Sequence, residues 1–370
     1  MKRVVVLGTG LVGQAIALDM SQRAGVVAVD LNRHRLAALE NRQNIVTKVL
    51  NITDQDRLRR VICDADLVIS AVPGSMGFVT LKRIISAGKN VVDIAFFPED
   101  AFELDQFARE KKVTAVVDCG VAPGMSNLLL GYHNCQMEIS DFICYVGGLP
   151  VERRWPFEYK APFSPADVIE EYLRPARFVK DGRTVVKEAL SDPELIEFEG
   201  IGTLEAFNTD GLRSLLRTMK IPNMLEKTLR YPGHIDKIRL LRRSGFFDTG
   251  EINVGDQKVV PLELTAQLLF REWQLKPGEA EQTIMRIIIR GRSQGKEKTV
   301  IYNLLDRYDP VTKQSSMART TGYTCTAVAN LILDGKIERT GICPPEYIGE
   351  NAAHVAFILN YLKKRNIQYV

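Results

Sequence analysis

Three glycines near the start of the chain carry the strongest chemical signal in the sequence. Gly8, Gly10 and Gly13 follow an apolar run at residues 4–7 and stand where a helix begins. Gly8 allows a tight turn, Gly10 lets the backbone approach a pyrophosphate, and Gly13 lets the helix pack closely on the strand. The free amides of the helix start face the anion. The spacing therefore predicts a dinucleotide-binding turn.

An acidic residue indicates which dinucleotide is bound. A second strand, residues 26–29, leads to Asp30, whose carboxylate would accept from the ribose hydroxyls of NAD and repel the 2′-phosphate of NADP. Arg33 weighs against this preference, because a guanidinium there could pair with a phosphate. We predict NAD as the cofactor. The residues predicted to contact it are Gly8, Thr9, Gly10, Leu11, Val12, Gly13, Asp30, Leu31, Ala71, Val72 and Pro73.

The elements that position this turn alternate between strands and helices. This alternation predicts an α/β fold with a Rossmann-type, doubly wound parallel sheet. Ligands bind beyond the carboxyl ends of the strands in such sheets. The further predicted strands are residues 44–50, 67–72, 90–93 and 113–118, and the helices between them are residues 54–62, 76–87 and 98–111.

Two carboxylates end neighbouring strands at this edge of the sheet. Asp93 and Asp118 are therefore candidates for binding a cationic amine, although either could cap a nearby turn. The turn after Asp118 leads to a helix predicted at residues 128–134, for which Ser126 and Asn127 are natural N-caps. A helix start at the cofactor edge could equally receive a carboxylate, so both roles remain open.

The pattern changes after this helix. Between residues 139 and 301, strand-like runs occur without regular helices between them, which predicts a mixed or antiparallel sheet in a second α/β domain. The runs are residues 142–146, 184–189, 258–264 and 283–291. Three polar clusters, residues 155–160, 204–211 and 226–234, supply an arginine for a carboxylate, carboxylates for an amine, and Lys, Tyr and His for proton transfer.

Helical periodicity returns at the end of the chain. Thr320 or Thr321 could cap a helix that ends near Gly335, and residues 352–362 form a final amphipathic helix. Such helices would pack back on the first domain. We therefore expect a discontinuous NAD-binding domain, residues 1–133 and 316–370, and a second domain, residues 134–315, to which the family resemblance described below assigns substrate binding and dimerisation.

Composition excludes several other classes of protein. A length of 370 residues suits two domains, and a net charge of +4 gives little reason to propose nucleic acid or membrane partners. No apolar run reaches membrane-spanning length, so we expect a cytoplasmic protein. The six cysteines show no metal-ligand spacing, and we predict that they are reduced and that there is no metal site.

The chain resembles the saccharopine dehydrogenase family over nearly its whole length. Within this family, three segments resemble the lysine 6-dehydrogenase branch. The resemblance implies a Rossmann domain, a second α/β domain, at least a homodimer, and NAD-dependent oxidation of the ε-amine of L-lysine. The product would be 2-aminoadipate 6-semialdehyde, which cyclises to piperideine-6-carboxylate. The family likeness lies in residues 8–13, 118–127, 204–215, 227–233, 317–322 and 341–346, and the narrower one in residues 146–150, 163–164 with 171–172, and 230–234.

This chemistry needs a base, because hydride leaves the ε-carbon only when the neighbouring amine is neutral. His234 is the first candidate for the base, with Lys160 and Tyr231 as further candidates; the alternative for His234 is a histidine whose hydrogen bonds are satisfied within a loop. Arg230 is predicted to bind the substrate α-carboxylate. The remaining substrate candidates are Asp93, Asp118, Tyr159 and Asp210.

Two alternatives stay open from the sequence. The first is a reductase of the saccharopine-forming or carboxynorspermidine type, which joins an amine and an aldehyde by reducing an imine. Saccharopine carries three carboxylates and should need several cationic anchors, for which Arg153, Arg154 and Arg174 are candidates. The second alternative is a catalytically idle NAD-binding sensor, which would lack a convergent substrate site.

Overall fold

Two β-sheets form the framework of the molecule. A computed structural model describes residues 1–162, 165–276 and 278–370, so that Phe163 and Ser164 of the lysine 6-dehydrogenase likeness lie outside the described residues. The strands are β1 Arg3–Leu7, β2 Gly25–Asp30, β3 Ile45–Val49, β4 Leu67–Ser70, β5 Val91–Asp93, β6 Thr114–Val116, β7 Glu138–Pro150, β8 Ala176–Lys180, β9 Arg183–Lys187, β10 Glu194–Phe198, β11 Gly202–Asn208, β12 Asn223–Arg230, β13 Ile252–Val254, β14 Gln257–Val259, β15 Glu281–Ser293, β16 Lys296–Arg307 and β17 Gly341–Ile342.

The helices connect and cover these strands. They are α1 Leu11–Met20, α2 Arg33–Ala37, α3 Gln55–Ile62, α4 Gly74–Ser86, α5 Asp105–Glu110, α6 Met125–Asn134, α7 Pro165–Leu173, α8 Leu215–Thr218, α9 His234–Arg243, α10 Pro261–Trp273, α11 Ser316–Leu333, α12 Pro345–Gly349 and α13 Ala352–Lys363. A short 3₁₀ helix covers Ala101–Leu104.

The first sheet confirms the predicted doubly wound α/β fold. Within the described residues it is parallel, in the order β17-β6-β5-β4-β1-β2-β3. Its central strands are buried on both faces, as parallel strands covered by helices must be. The order reverses between β1 and β4, and a ligand crevice forms at such a switch point.

Several predicted elements of this region differ in detail. The helix expected at residues 98–111 is divided, because Asp100 caps the 3₁₀ helix by accepting from the Phe102 amide and α5 starts only at Asp105. Helix α6 begins after Gly124, not at Ser126 or Asn127. Asn127 instead accepts from the Gly124 amide from inside the helix, at 3.3 Å.

The second sheet is mixed, as expected. Its main path runs β10-β11-β12-β7-β15-β16, with β8 bridging β12 and β9. Strands β7 and β12 are parallel, and the other pairs are antiparallel. The strand predicted at residues 258–264 is wrong beyond Val259, because Pro261 begins helix α10; proline suits a first helical turn, where its missing amide costs nothing.

The C-terminal helices return to the first sheet. Helix α11 packs along α1, and its N-cap is Ser315, which accepts from the Ala318 amide; Thr320 and Thr321 lie inside the helix. Strand β17 then adds to the sheet edge beside β6. The limits of the two domains and the dimer stay predictions. No helix in the described ranges is long and apolar enough to cross a membrane.

Candidate active site

A cavity of about 930 Å³ lies at the carboxyl edge of the first sheet, and residues of the second sheet form its far wall. Its volume is near the upper end of what small-molecule sites enclose. One end is lined by the glycine turn and the residues after β2 and β4. The other end is lined by Asp118, Gly147, Asp210, Glu226 and Arg230.

The glycine turn fits a pyrophosphate. Gly8 has a φ of +88°, and a β-carbon there would collide with the Ala71 carbonyl, while one at Gly13 would collide with the Gly8 carbonyl. These two glycines therefore serve the close packing of turn and helix. A β-carbon at Gly10, by contrast, meets no described atom within 4 Å. Gly10 thus keeps open the space that a dinucleotide would fill.

Asp30 is held rigidly at the adenosine end of the cavity. Its Oδ2 accepts from the Thr9 amide at 2.7 Å and from the Thr9 hydroxyl at 3.1 Å, and its Oδ1 accepts from the Asn32 amide at 2.8 Å. Thr9 is fully buried and does not line the cavity, so its side chain positions Asp30 and does not contact the ligand. Arg35, and not Arg33, lines the cavity here, 4.0 Å from Asp30.

The other predicted cofactor residues lie along the cavity wall. Leu31 is 67% exposed and Leu11 is 46% exposed, an unusual state for large apolar side chains beside a site, and a bound ligand would cover them. The remaining members that line the cavity are Val12, Ala71, Val72 and Pro73.

Asp118 and Asp210 both line the cavity, each paired with an arginine. Asp118 accepts from Arg213 Nε at 2.8 Å, and Asp210 accepts two bonds from Arg177, at 2.7 and 2.8 Å. Burial raises the pKa of Asp118, while the Arg213 guanidinium opposes that rise. Asp118 also has a φ of +54°, an uncommon conformation that aims its carboxyl into the site.

The substrate role predicted for Asp93 does not fit its position. Asp93 is completely buried and does not line the cavity; its Oδ1 accepts from the Ala95 amide at 2.8 Å. Burial raises its pKa to about 7. It serves the turn after β5, which was the alternative left open by the sequence.

Arg230 lies on the cavity wall but is already engaged. It donates to the Tyr172 hydroxyl at 3.1 Å, to the Leu229 carbonyl at 2.9 Å and to Glu171 at 2.7 Å. Its guanidinium also stacks on the Tyr159 ring, 4.3 Å from the centroid. Tyr159 is buried behind Arg230 and does not line the cavity, so a direct contact of Tyr159 with substrate does not fit the structure.

The three predicted catalytic residues lie away from the cavity wall. His234 is buried, with Nδ1 bonded to the Phe157 carbonyl and Nε2 to the Tyr172 hydroxyl, and burial lowers its pKa to about 3. A base with both nitrogens occupied cannot reach substrate. The Tyr231 hydroxyl donates to the Pro150 carbonyl, and Lys160 Nζ donates to the Glu272 carbonyl. These contacts argue against all three as the base.

The structure shows site residues that sequence reasoning did not select. Glu226 lines the cavity and belongs to the predicted polar cluster 226–234, but no spacing pattern distinguished it from its neighbours. Burial and nearby carboxylates raise its pKa to about 8. Helix α7 and the residue that follows it add further charged groups to the wall: Asp167, Glu170 and Glu171 from the helix, and Arg174 after it.

The fold and cavity are those of a two-domain Rossmann protein that binds a nicotinamide nucleotide. Two family models cover almost the whole chain: "Saccharopine dehydrogenase NADP binding domain" matches residues 4–116, and "Saccharopine dehydrogenase C-terminal domain" matches residues 120–367. The chain belongs to the saccharopine dehydrogenase family.

Individual relatives are distant. The mitochondrial alpha-aminoadipic semialdehyde synthase of Bos taurus is 23% identical over 93% of this chain, and saccharopine dehydrogenase [NADP(+), L-glutamate-forming] of Pyricularia oryzae is 26% identical over 68% of it. The chain spans only 45% and 59% of these two relatives. The apo saccharopine dehydrogenase (L-Glu forming) of Saccharomyces cerevisiae shares the fold, with a TM-score of 0.80 at 19% identity, covering 100% of this chain and 99% of that one.

A substitution at Gly10 tests whether the open space there receives the pyrophosphate. Gly10→Ala should weaken NADH binding by about tenfold or more, about 1.4 kcal/mol, because the added methyl group would occupy the space of the pyrophosphate. The melting temperature should not change, since no described atom lies nearby. Fluorescence titration with NADH measures the affinity, and Gly250→Ala, at another open glycine far from the cavity, is the control. Unchanged NADH affinity in Gly10→Ala would contradict the assignment.

Proposed function

We propose that the chain is an NAD-dependent lysine 6-dehydrogenase, which oxidises the ε-amine of L-lysine to 2-aminoadipate 6-semialdehyde, the precursor of piperideine-6-carboxylate. The observation that carries this proposal is the cluster of acids beyond the glycine turn. Six carboxyl groups line that part of the cavity together with the guanidinium groups of Arg174, Arg230 and Arg271, and Arg213 and Arg177 pair with two of the six from outside the lining. The carboxyl groups belong to Asp118, Asp167, Glu170, Glu171, Asp210 and Glu226.

A cluster of carboxyls of which Asp118, Asp210 and Glu226 are buried favours a cationic substrate. Each ionised carboxylate is costly to bury, and an ammonium ion placed among them lowers that cost. Lysine offers two ammonium groups and one carboxylate. Bound NAD supplies the hydride acceptor for this chemistry, and the protein's part is to hold the ε-carbon near it and keep the amine neutral at the moment of transfer.

A single cationic anchor is enough for the carboxylate of lysine. Arg230 already donates to Glu171 and Tyr172, so we assign the binding of the carboxylate to Arg174 and take Arg230 as the second candidate. Arg174 stacks on Phe96, 4.9 Å from the ring centroid, and its buried Nη1 has no hydrogen-bond partner among the described residues. An unsatisfied guanidinium nitrogen at a cavity wall favours an anionic partner.

A saccharopine-forming reductase is the second candidate function. Two observations favour it: some relatives are named saccharopine dehydrogenase [NADP(+), L-glutamate-forming], and three guanidinium groups line the cavity beyond the glycine turn, one for each carboxylate of saccharopine. Against it, Arg230 already pairs with Glu171 at 2.7 Å, which leaves fewer guanidinium groups than saccharopine has carboxylates. A catalytically idle NAD-binding sensor is disfavoured by the convergence of charged groups on one cavity.

The substrate test follows directly. Purified protein should reduce NAD, measured by NADH absorbance, with L-lysine as the only amine donor. Glutamate plus the semialdehyde, supplied with NADH or NADPH, should give no comparable oxidation. Condensation without lysine oxidation would replace the first candidate by the second, and no turnover in either direction would favour the sensor.

The preference for NAD is proposed from Asp30, although the matching family model is described as NADP-binding. Asp30→Ala should raise the ratio of kcat/KM for NADP to that for NAD by about tenfold or more, because the 2′-phosphate would no longer meet a buried carboxylate. Asp64→Ala removes an exposed carboxylate on the surface and serves as the control. If Asp30→Ala discriminates as strongly as the unchanged protein, Asp30 does not set cofactor choice.

A further inference from the structure

The Glu226 side chain has a fixed position in the cavity wall. It projects from β12, whose central position between β7 and β11 fixes the backbone on both sides. The residue is only 5% exposed, yet it lines the cavity. Gly211 makes room for it, because a β-carbon at Gly211 would collide with the Glu226 carboxyl. The carboxyl therefore occupies the space where any other residue at position 211 would place a side chain.

Glu226 forms no ion pair within the described part of the chain. Among the described residues, no Lys, Arg or His nitrogen lies within 4.0 Å of its carboxyl. The other charged groups that act on it are mostly acidic: Glu171 from α7, Asp210 from the loop after β11, and Asp118 from the end of β6. Arg213 acts in the opposite sense, and its guanidinium is bonded to Asp118.

The neighbouring acids are in a different electrostatic state. Asp118, Asp210 and Glu171 each bond to an arginine, so that a guanidinium group offsets the charge of each carboxyl. Glu226 has no such partner, and its pKa of about 8 lies close to neutrality. A carboxyl of this kind can exchange a proton with an amine in either direction.

We propose that Glu226 is the general base that takes a proton from the ε-ammonium group of the bound substrate; this inference rests on the proposed function. The N–H bond breaks and the proton moves to the Glu226 carboxylate, which frees the nitrogen lone pair. The ε C–H bond then breaks, hydride passes to the nicotinamide dinucleotide, and the lone pair forms a C=N bond. Water adds to that carbon, the C–N bond breaks, and ammonium leaves; the carbon is oxidised and the dinucleotide is reduced.

The pH dependence of turnover tests this role. In the unchanged protein, kcat/KM should rise tenfold per pH unit and level off near pH 8, because the base acts only when deprotonated. Glu226→Gln should lower kcat/KM by about 10²–10⁴-fold and remove this rise of kcat/KM with pH. Glu205 is a partly buried carboxyl on β11 that does not line the cavity, and Glu205→Gln should therefore keep both the value of kcat/KM and its rise with pH.

Proton counting gives a readout independent of turnover. At pH 7 the free protein holds a proton on Glu226, so binding of the lysine cation should release close to one proton. Calorimetry of L-lysine binding to the NADH complex, in buffers of different ionisation enthalpy, measures that number. Glu226→Gln should release no proton. Gly211→Ala displaces the Glu226 carboxyl without changing it, and should lose most of the proton release and of the rise of kcat/KM with pH.

The outcomes separate the two proposals. If lysine neither binds nor turns over with the unchanged protein, the proposed function fails. If lysine is oxidised but Glu226→Gln keeps the rise of kcat/KM with pH and the proton release, the base is another group and only this inference fails. NADH affinity of each variant shows whether it folds, and an unfolded Glu226→Gln leaves Gly211→Ala to decide.

Discussion

The ion pair between Arg213 and Asp118 is a buried polar contact that joins the two sheets beside the cavity. Both side chains are about 95% buried, and Arg213 also donates to the Phe97 carbonyl at 2.5 Å. It belongs to a segment that follows β11 of the second sheet, while Asp118 and Phe97 follow strands of the first. Losing one partner of such a pair leaves a buried charge, at a cost of about 3–5 kcal/mol. The walls of the cavity are therefore fixed relative to each other.

This fixed geometry gives the cavity two kinds of carboxyl group. Asp118, Asp210 and Glu171 bond to arginines, while Glu226 faces mainly other acids. The same low dielectric that makes an unpaired acid costly also brings the pKa of Glu226 into the range where proton transfer is useful. Carboxyls paired with arginine and one carboxyl without such a partner are together suited to attract an ammonium ion and then neutralise it.

Local patterns predicted the framework well, and long-range contacts explain what they missed. The glycine turn, Asp30 and the strand alternation are visible because each depends on neighbours in the chain. Strand β17 has two residues and no periodicity to detect. The sequence around His234 does not show that Tyr172 and Phe157 occupy both of its nitrogens. On β12, Glu226 follows an apolar stretch, and only the space at Gly211 shows where its carboxyl lies.

In the proposed function, the acidic cavity recognises the ε-ammonium group of L-lysine. The direct measurement is calorimetric affinity of the NADH complex for L-lysine and for L-norleucine, which keeps the α-amino acid and the carbon chain but lacks the ε-nitrogen. Lysine should bind about tenfold more tightly or better, a difference of about 1.4 kcal/mol, because it adds a cation beside buried carboxylates. Norleucine binding as tightly as lysine would contradict the account.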